Sequence, residues 1–479
     1  MNPESLVWYS IAASAFIKFL PFLTSIFLKR ELPSPTGKYK VGSFVTRVPQ
    51  KHLIRFFFPT SKIAMGEETI AAGKWLPEFI YINGYARFLG FSNNTFLNYI
   101  MQSLRFVRGP WVDQTEENFH IYKDSKNTKL PVLLFSHGMG GSQTMYSIIC
   151  TEMASKGFLV VVPEHMDGSA SCTIQCDGSP LFSHVENDIE ALAKRKEVLG
   201  NDPKILKSDK KIRDYLFQWR NGQSQIRVNE VFESILFTFE HPKLRHYIDK
   251  QNCHLCGHSF GCTSVLGAVA RTGGNLKGFP TNLSLQAKHH FLRFKTACCL
   301  DGWMWPIVGD GDNTYLIDQT FGASQNALLE TNTPILFIDA DTFINDLRWR
   351  TSKIEIIERA QAYGRKRNLR VDTMLLSLKH SAHFTFSDVL VLGGMVYPIL
   401  NQFRSKPQNL KNHTTETTEA IIPSQEELLF SIMGILYHFM EYYSNGVAHD
   451  KIREHDFAWR DKVDFNLYSR LCPSNPGKL

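Results

Sequence analysis

Between a short apolar run, His254 to Gly257, and a small-residue run that starts at Cys262 lies the pentapeptide Gly257-His258-Ser259-Phe260-Gly261. A serine with glycine two residues away on each side, an extended segment before it and a helical one after, is the pattern of a strand that turns sharply into a helix. Side chains at the outer positions would collide across such a turn, and glycine avoids the collision. The turn also lays Ser259 near a helix N-terminus, where the positive end of the dipole favours an alkoxide-like oxygen. The feature commits the chain to strands alternating with helices and points to a nucleophilic serine. A plain structural turn whose serine only caps the helix is the competing reading, and the flanking strand and helix count against it.

The rest of the chain carries the same alternation. Strand-like runs fall at Val41 to Val48, Leu53 to Phe58, Pro131 to Ser136, Phe158 to Val162, Thr296 to Leu300, Pro334 to Ile338 and Val371 to Leu376. Helical sequence falls before Lys156, over Ile212 to Glu240 and over Ile354 to Gly364. Such a series predicts an α/β fold with a mostly parallel sheet covered on both faces. A basic, Gly-containing stretch from Arg271 to Lys295 reads as an insertion. After Phe403 the sequence turns polar, and Ser424-x-x-Glu427 forms a capping box that opens an apolar helix over Leu428 to Met440. Thirteen residues are too few to span a bilayer, so this helix is expected on the core or in an interface.

The N-terminal stretch Leu6 to Leu28 is apolar except for Lys18 and a few hydroxyl residues, is broken by Pro21 and is closed by Lys29 and Arg30. It has neither a basic leader nor a clear small-residue cleavage site, so a cleaved secretory signal ranks last. A membrane anchor or in-plane helix ranks first, and a buried N-terminal helix second. The expected organisation is residues 1–31 as this segment, 32–403 as one catalytic domain and 404–479 as a helical C-terminal extension. The net charge of +7 comes from dispersed Lys and Arg. That argues against a nucleic-acid partner and leaves attraction to an anionic membrane surface.

Nine cysteines is an odd count. Cys253, Cys256, Cys298 and Cys299 fall where core strands should be, which predicts buried thiols of a reducing, intracellular compartment. Cys253-x-x-Cys256 has no second ligand pair at metal-site spacing. His380-x-x-His383 lacks the Glu and third ligand of a zinc motif, and Asp310-x-Asp312-x-Thr314 is followed by Tyr315 where a calcium loop needs Gly. No metal or cofactor is expected. Sequons at Asn93, Asn282 and Asn412 and the terminal Gly477-Lys478-Leu479 decide nothing.

A serine nucleophile on such a sheet takes an acid and then a histidine from later strand ends. Asp301, Asp339 and Asp341 are the candidate acids, and order alone leans to the later strand, Asp339 or Asp341. His380 and His383 are the candidate bases. An oxyanion needs two backbone amides: Phe260 follows the serine, and the Gly-rich His137-Gly138-Met139-Gly140-Gly141 after an earlier strand offers Met139.

Four segments together resemble a known family, the platelet-activating factor acetylhydrolases of the plasma and intracellular type. They are Phe135-Ser-His-Gly-Met-Gly with Tyr146-Ser147 downstream, Pro163-Glu-His-Met-Asp-Gly-Ser-Ala170, Gly257-His-Ser-Phe-Gly261 and Leu300-Asp-Gly-Trp-Met-Trp-Pro306. Weaker similarity in Leu32 to Thr60, Trp75 to Leu89 and Arg220 to Arg227 extends the resemblance over roughly Leu32 to Phe403. It implies an α/β-hydrolase fold and a serine esterase that removes short or oxidised sn-2 acyl groups from phospholipids without calcium. It also implies Asp301 as the acid, since the family's aspartate precedes the Trp-Met-x-Pro segment. His383 is implied as the base, within His383-Phe-Thr-Phe-Ser-Asp388, which makes His380 a decoy. Oxyanion donors fall on Met139 and Phe260. The chain departs from the family pattern at Cys262, where a second Gly is usual. The implied partner is a lipid ester at a membrane surface. A general lipid esterase and a catalytically silent lipid-binding scaffold are the alternatives.

Overall fold

The computed structural model describes residues 31–61, 72–89, 101–122, 128–183, 210–273, 292–308, 331, 333–344, 347–368, 371–393, 424–445 and 465–471. The Leu6 to Leu28 segment, the three sequons, Asp310 to Thr314 and Gly477 to Leu479 lie outside the described residues.

The strands are β1 (Lys40–Arg47), β2 (Leu53–Thr60), β3 (Ala72–Lys74), β4 (Arg108–Asp113), β5 (Leu130–Ser136), β6 (Leu159–Pro163), β7 (Cys172–Ile174), β8 (Pro180–Phe182), β9 (Ile248–His258), β10 (Thr296–Leu300), β11 (Ile335–Ala340), β12 (Thr373–Leu378) and β13 (Phe465–Leu471). The longer helices are α1 (Ile80–Phe88), α2 (Ser147–Ser155), α3 (Lys210–Glu240), α4 (Gly261–Gly273), α5 (Leu347–Arg367) and α6 (Gln425–Asn445). Among the described residues eleven strands form one sheet in the order β13-β12-β11-β10-β9-β5-β6-β2-β1-β4-β3. The block from β12 to β6 is parallel throughout. β2 joins it antiparallel to β6, and β13 closes the other edge antiparallel to β12.

Strand alternation divides the core in two. Val132, Leu134, Leu255, Cys299 and Phe337 face α3, α4 and α5, whose Val231, Val265 and Ile357 pack on them. Leu133, Phe135, Cys256, Cys298 and Ile338 face the opposite layer of α1, α2 and α6. Both faces are covered, which is why the central strands read as unbroken apolar runs. The four strand cysteines are buried free thiols.

The apolar helix after Phe403 packs on the core, one of the two placements expected of it: Leu428, Leu429, Ile432, Met433 and Met440 of α6 are core residues, and β13 extends the sheet. The helix itself begins as predicted, with the Ser424 amide donating to Glu427 Oε2 at 2.9 Å and the Glu427 amide to Ser424 Oγ at 3.2 Å. The stretch read as an insertion from Arg271 begins inside α4, and Leu292 and Phe294 at its far end return to the core.

Candidate active site

Ser259 sits between the end of β9 and the start of α4 with φ 55°, a left-handed angle rare for a side-chain-bearing residue. Neighbouring backbone holds it there. Its amide donates to Leu300 O at 2.9 Å, and its carbonyl accepts from Trp303 N at 3.1 Å and Cys262 N at 3.2 Å. The flanking glycines are required by contact: a Cβ on Gly257 would stand 2.5 Å from Gly261 O, and one on Gly261 would stand 2.1 Å from Ser136 O. Cys262 fits in place of the second glycine because its thiol turns inward, with Sγ 3.1 Å from Gly257 O.

His383 Nε2 lies 3.0 Å from Ser259 Oγ, and His383 Nδ1 lies 2.5 Å from Asp301 Oδ2. The other carboxylate oxygen of Asp301, Oδ1, accepts the Ala340 amide at 2.8 Å. Asp301 is fully buried, whereas the His383 side chain is 29% exposed. The structure thus brings Ser259, His383 and Asp301 into one hydrogen-bonded row. An acceptor at Nδ1 places that proton there and leaves Nε2 free to take the hydroxyl proton.

The later-strand acids, toward which chain order leans, are placed otherwise. Asp339 shares strand parity with Ile335 and Phe337, so it faces α5 and bonds Lys353 Nζ at 2.5 Å, both side chains being fully buried. Burial raises the Asp339 carboxyl to about 6 against the pull of Lys353. Asp341 opens a short helix, its amide donating to Ser381 Oγ at 3.3 Å. His380 occupies an exposed turn with φ 61°.

Met139 and Phe260 present backbone N–H groups that donate to nothing among the described residues. The peptide before Met139 is fixed from its other side. Gly138 O accepts His137 Nδ1 at 2.8 Å and Gly141 N at 3.1 Å. A trans peptide aims its N–H opposite its C=O, so these bonds set the direction of the Met139 amide. Gly140 holds the loop open at φ 71°, where a Cβ would meet the Phe88 ring at 2.3 Å.

Support for the site comes from residues to which sequence reasoning gave no role. Arg227 of α3 is fully buried; its Nε donates to Asp167 Oδ2 at 2.9 Å, and its guanidinium stands 4.5 Å from the Phe260 ring centroid. His165 bridges Ser136 Oγ (2.8 Å) and Glu230 Oε2 (2.7 Å). Burial drives the His165 imidazole well down and the Glu230 carboxyl well up, so the pair is held neutral. Asp388 Oδ1 accepts the Ile148 amide at 3.0 Å, and Oδ2 accepts the Ser147 amide at 2.9 Å and Trp75 Nε1 at 3.0 Å. It caps α2 and ties the His383 turn to the helix behind the Met139 loop. Their signal was present: Asp167 and His165 stand in Pro163 to Ala170, Arg227 ends the Arg220 to Arg227 similarity, and Asp388 closes the His-x-x-Phe-x-Asp pattern.

Ligand atoms of His258, Asp301 and His383 lie within 4.8 Å of one another, close enough to be read as a metal group. Each is already taken up in the hydrogen bonds of the row or its neighbours.

A strained serine on a strand-to-helix turn, a base held by a buried acid and a mostly parallel sheet define a serine ester hydrolase of the α/β-hydrolase fold. A family model described as platelet-activating factor acetylhydrolase, isoform II, matches residues 24–415, and the chain belongs to that family. A platelet-activating factor acetylhydrolase from Gallus gallus is 24% identical over 382 residues, covering 76% of each chain. One from Bos taurus is 25% identical over 304 residues, covering 60% of this chain and 57% of its own. A putative phospholipase A2 of Schizosaccharomyces pombe is 46% identical over 50 residues, about a tenth of either chain: 10% of this one and 11% of its own. Among solved structures, a ferulic acid esterase from Streptomyces cinnamoneus superposes with TM-score 0.52 at 14% identity, covering 91% of this chain and 99% of that one. That likeness speaks to fold alone.

Proposed function

We propose that the chain hydrolyses short or oxidised sn-2 acyl esters of phospholipids, independently of calcium, through an acyl-enzyme on Ser259. The carrying observation is the row Ser259 Oγ, His383 Nε2, His383 Nδ1, Asp301 Oδ2, with the Met139 and Phe260 amides free beside it. His383 takes the Ser259 proton as Oγ attacks the ester carbonyl, and Asp301 stabilises the resulting imidazolium. The two amides receive the developing oxyanion, each lowering the barrier by on the order of 3 kcal/mol. The imidazolium returns its proton to the leaving lysophospholipid oxygen. Water activated by His383 then releases the acid. No metal takes part in these steps.

Family membership supports the substrate class, and so does the wall beside the serine. Half-buried Trp303 and Trp305 stack with ring centroids 5.9 Å apart, and Trp303 lies 5.6 Å from Phe260. An aromatic wall suits an apolar substrate held next to the nucleophile. Phe384, directly after His383, is 47% exposed, and with Leu6 to Leu28 and the positive net charge it favours action at a membrane surface. Among the described residues no helix is long and apolar enough to cross a membrane.

The test is hydrolysis of sn-2 acetyl against sn-2 long-chain phosphatidylcholine in EDTA, with Ser259→Ala as control. Serine-dependent release of acetate with little long-chain product is expected. Long-chain preference would replace the reading with a general lipid esterase. Loss of turnover of both substrates, with Ser259 unreactive to a fluorophosphonate, would favour a silent scaffold.

A further inference from the structure

Beside the candidate row runs a second hydrogen-bonded chain. The Gly138 amide donates to Tyr146 Oη at 3.1 Å, Tyr146 Oη lies 2.8 Å from His258 Nδ1, and His258 Nε2 lies 3.0 Å from the backbone oxygen of His383. Its proton pattern has one solution. A carbonyl oxygen only accepts, so His258 Nε2 carries the hydrogen. In a neutral ring Nδ1 then accepts, from the Tyr146 hydroxyl, whose oxygen accepts the Gly138 N–H. Burial drives the His258 imidazole well below its ordinary range, and the adjacent His383 adds to this, so the neutral ring is the resident form. Tyr146 is also fully buried, and its phenol is raised by the same cause.

The chain joins the two halves of the site that must be in register. At one end is Gly138, whose carbonyl belongs to the peptide carrying the Met139 amide. At the other is the backbone of His383. Packing leaves little slack between them: a Cβ on Gly138 would meet Tyr146 Oη at 2.9 Å, Ser259 Cβ at 3.1 Å and His258 Nδ1 at 3.2 Å. The His258 ring lies 4.6 Å from the His383 ring and stacks on Phe386 at 5.8 Å, while Tyr146 packs on Phe135 at 4.9 Å. Of the residues between the elbow glycines, Ser259 therefore meets the ring of the base and His258 its backbone.

We infer that Tyr146 and His258 form a positioning bridge that keeps the oxyanion loop and the catalytic histidine in register. Neither touches the reacting atoms. Both act through Gly138 and His383. The inference rests on ester hydrolysis by Ser259 and not on which lipid is cleaved. Misplacement by a fraction of an ångström weakens a transition state more than a ground state, so the loss should appear in kcat and spare KM.

The experiment is a double-mutant cycle on the full chain. Tyr146→Phe removes one hydroxyl and keeps the ring, and His258→Gln retains a donor able to reach the His383 carbonyl. Rates of p-nitrophenyl acetate hydrolysis and of fluorophosphonate labelling of Ser259 are read at a temperature where thermal melts show each variant folded. Tyr146→Phe is expected to lower kcat about tenfold with KM within twofold, and to slow labelling in parallel. Tyr146→Phe combined with His258→Ala should lose no more than the worse of those two single changes, because each of them already breaks the bridge. His258→Gln should retain more kcat than His258→Ala at equal folded fraction. Additive losses, losses that follow the folded fraction, or unchanged kcat in Tyr146→Phe would overturn the bridge. A wild-type chain that neither labels nor hydrolyses would overturn the hydrolase reading along with it.

Discussion

Arg227 Nη1 donates to the carbonyl oxygen of His137 at 2.6 Å, so a fully buried charge on α3 grips the peptide that leads into the Met139 loop. The same guanidinium faces the Phe260 ring and is anchored by Asp167, so one side chain touches both candidate oxyanion donors' segments. A buried ion pair is weak evidence for stability, since desolvation offsets most of its attraction. Removing one partner is different, because it strands the other charge.

Arg227→Ala is therefore expected to destabilise the fold by about 3–5 kcal/mol, read from urea unfolding. Arg227→Lys keeps a charge for Asp167 but loses the planar fork that reaches His137, Ser169 and Asp167 at once. It should stay folded and lose at least tenfold in kcat for a short-chain ester. Full activity in Arg227→Lys would show that the loop holds its shape without the grip.

The two buried aspartates near the base should separate by assay. Asp301→Asn removes the acceptor that fixes the His383 tautomer and should lower kcat by roughly 10⁴ while the fold holds. Asp339→Asn leaves Lys353 buried without its carboxylate and should act on stability, lowering the urea midpoint while folded protein keeps most of its kcat. His380→Ala should change neither.

The elbow offers a steric test. An alanine at Gly261 would press its Cβ against the Ser136 carbonyl at 2.1 Å, and backbone at the end of β5 cannot yield as a side-chain tip can. Gly261→Ala should destabilise by about 3 kcal/mol, the upper part of the overpacking range. Gly222→Ala in α3, where a Cβ meets nothing within 4 Å, is the matched control and should be neutral or stabilising.

The fold was legible where strands are central and buried on both faces, because burial on both sides writes them as apolar runs. Edge elements were not. β3 has three residues, Ala72 to Lys74, and β4 contains Gly109 and Pro110, so neither shows alternation; pairing with each other and β1 makes them strands. β13 likewise is set by its partner β12. The Ser259 elbow and Gly-rich loop were readable as chemistry. Asp301 was not separable from Asp339 by order alone, because strand parity and the position of Lys353 decide the matter and both are three-dimensional. Arg227, Tyr146 and Asp388 stood in segments that carry the resemblance, but their roles were not readable there, because their partners lie 90, 112 and 241 residues away.

Asp388 should make stability depend on pH in a direction opposite to most carboxylates. Burial raises its native pKa from 3.8 to about 7, against the pull of the Ile148, Trp75 and Ser147 donors. Between these values the folded chain binds a proton that the unfolded chain does not, so folding stability from this group is complete below about pH 4 and declines as pH rises to 7. Between pH 5 and pH 8 the decline amounts to about 3 kcal/mol. Asp388→Asn cannot titrate. It also sets an NH₂ against donors that need an acceptor, so it should be less stable at pH 5. Its deficit relative to wild type should shrink toward pH 8, where the wild-type carboxylate bears its own burial penalty. Urea midpoints of both proteins at the two pH values decide this. A deficit that is the same at pH 5 and pH 8 would mean that the amides at the α2 N-terminus keep Asp388 ionised throughout, and that the turn carrying His383 is held by charge at every pH at which the enzyme works.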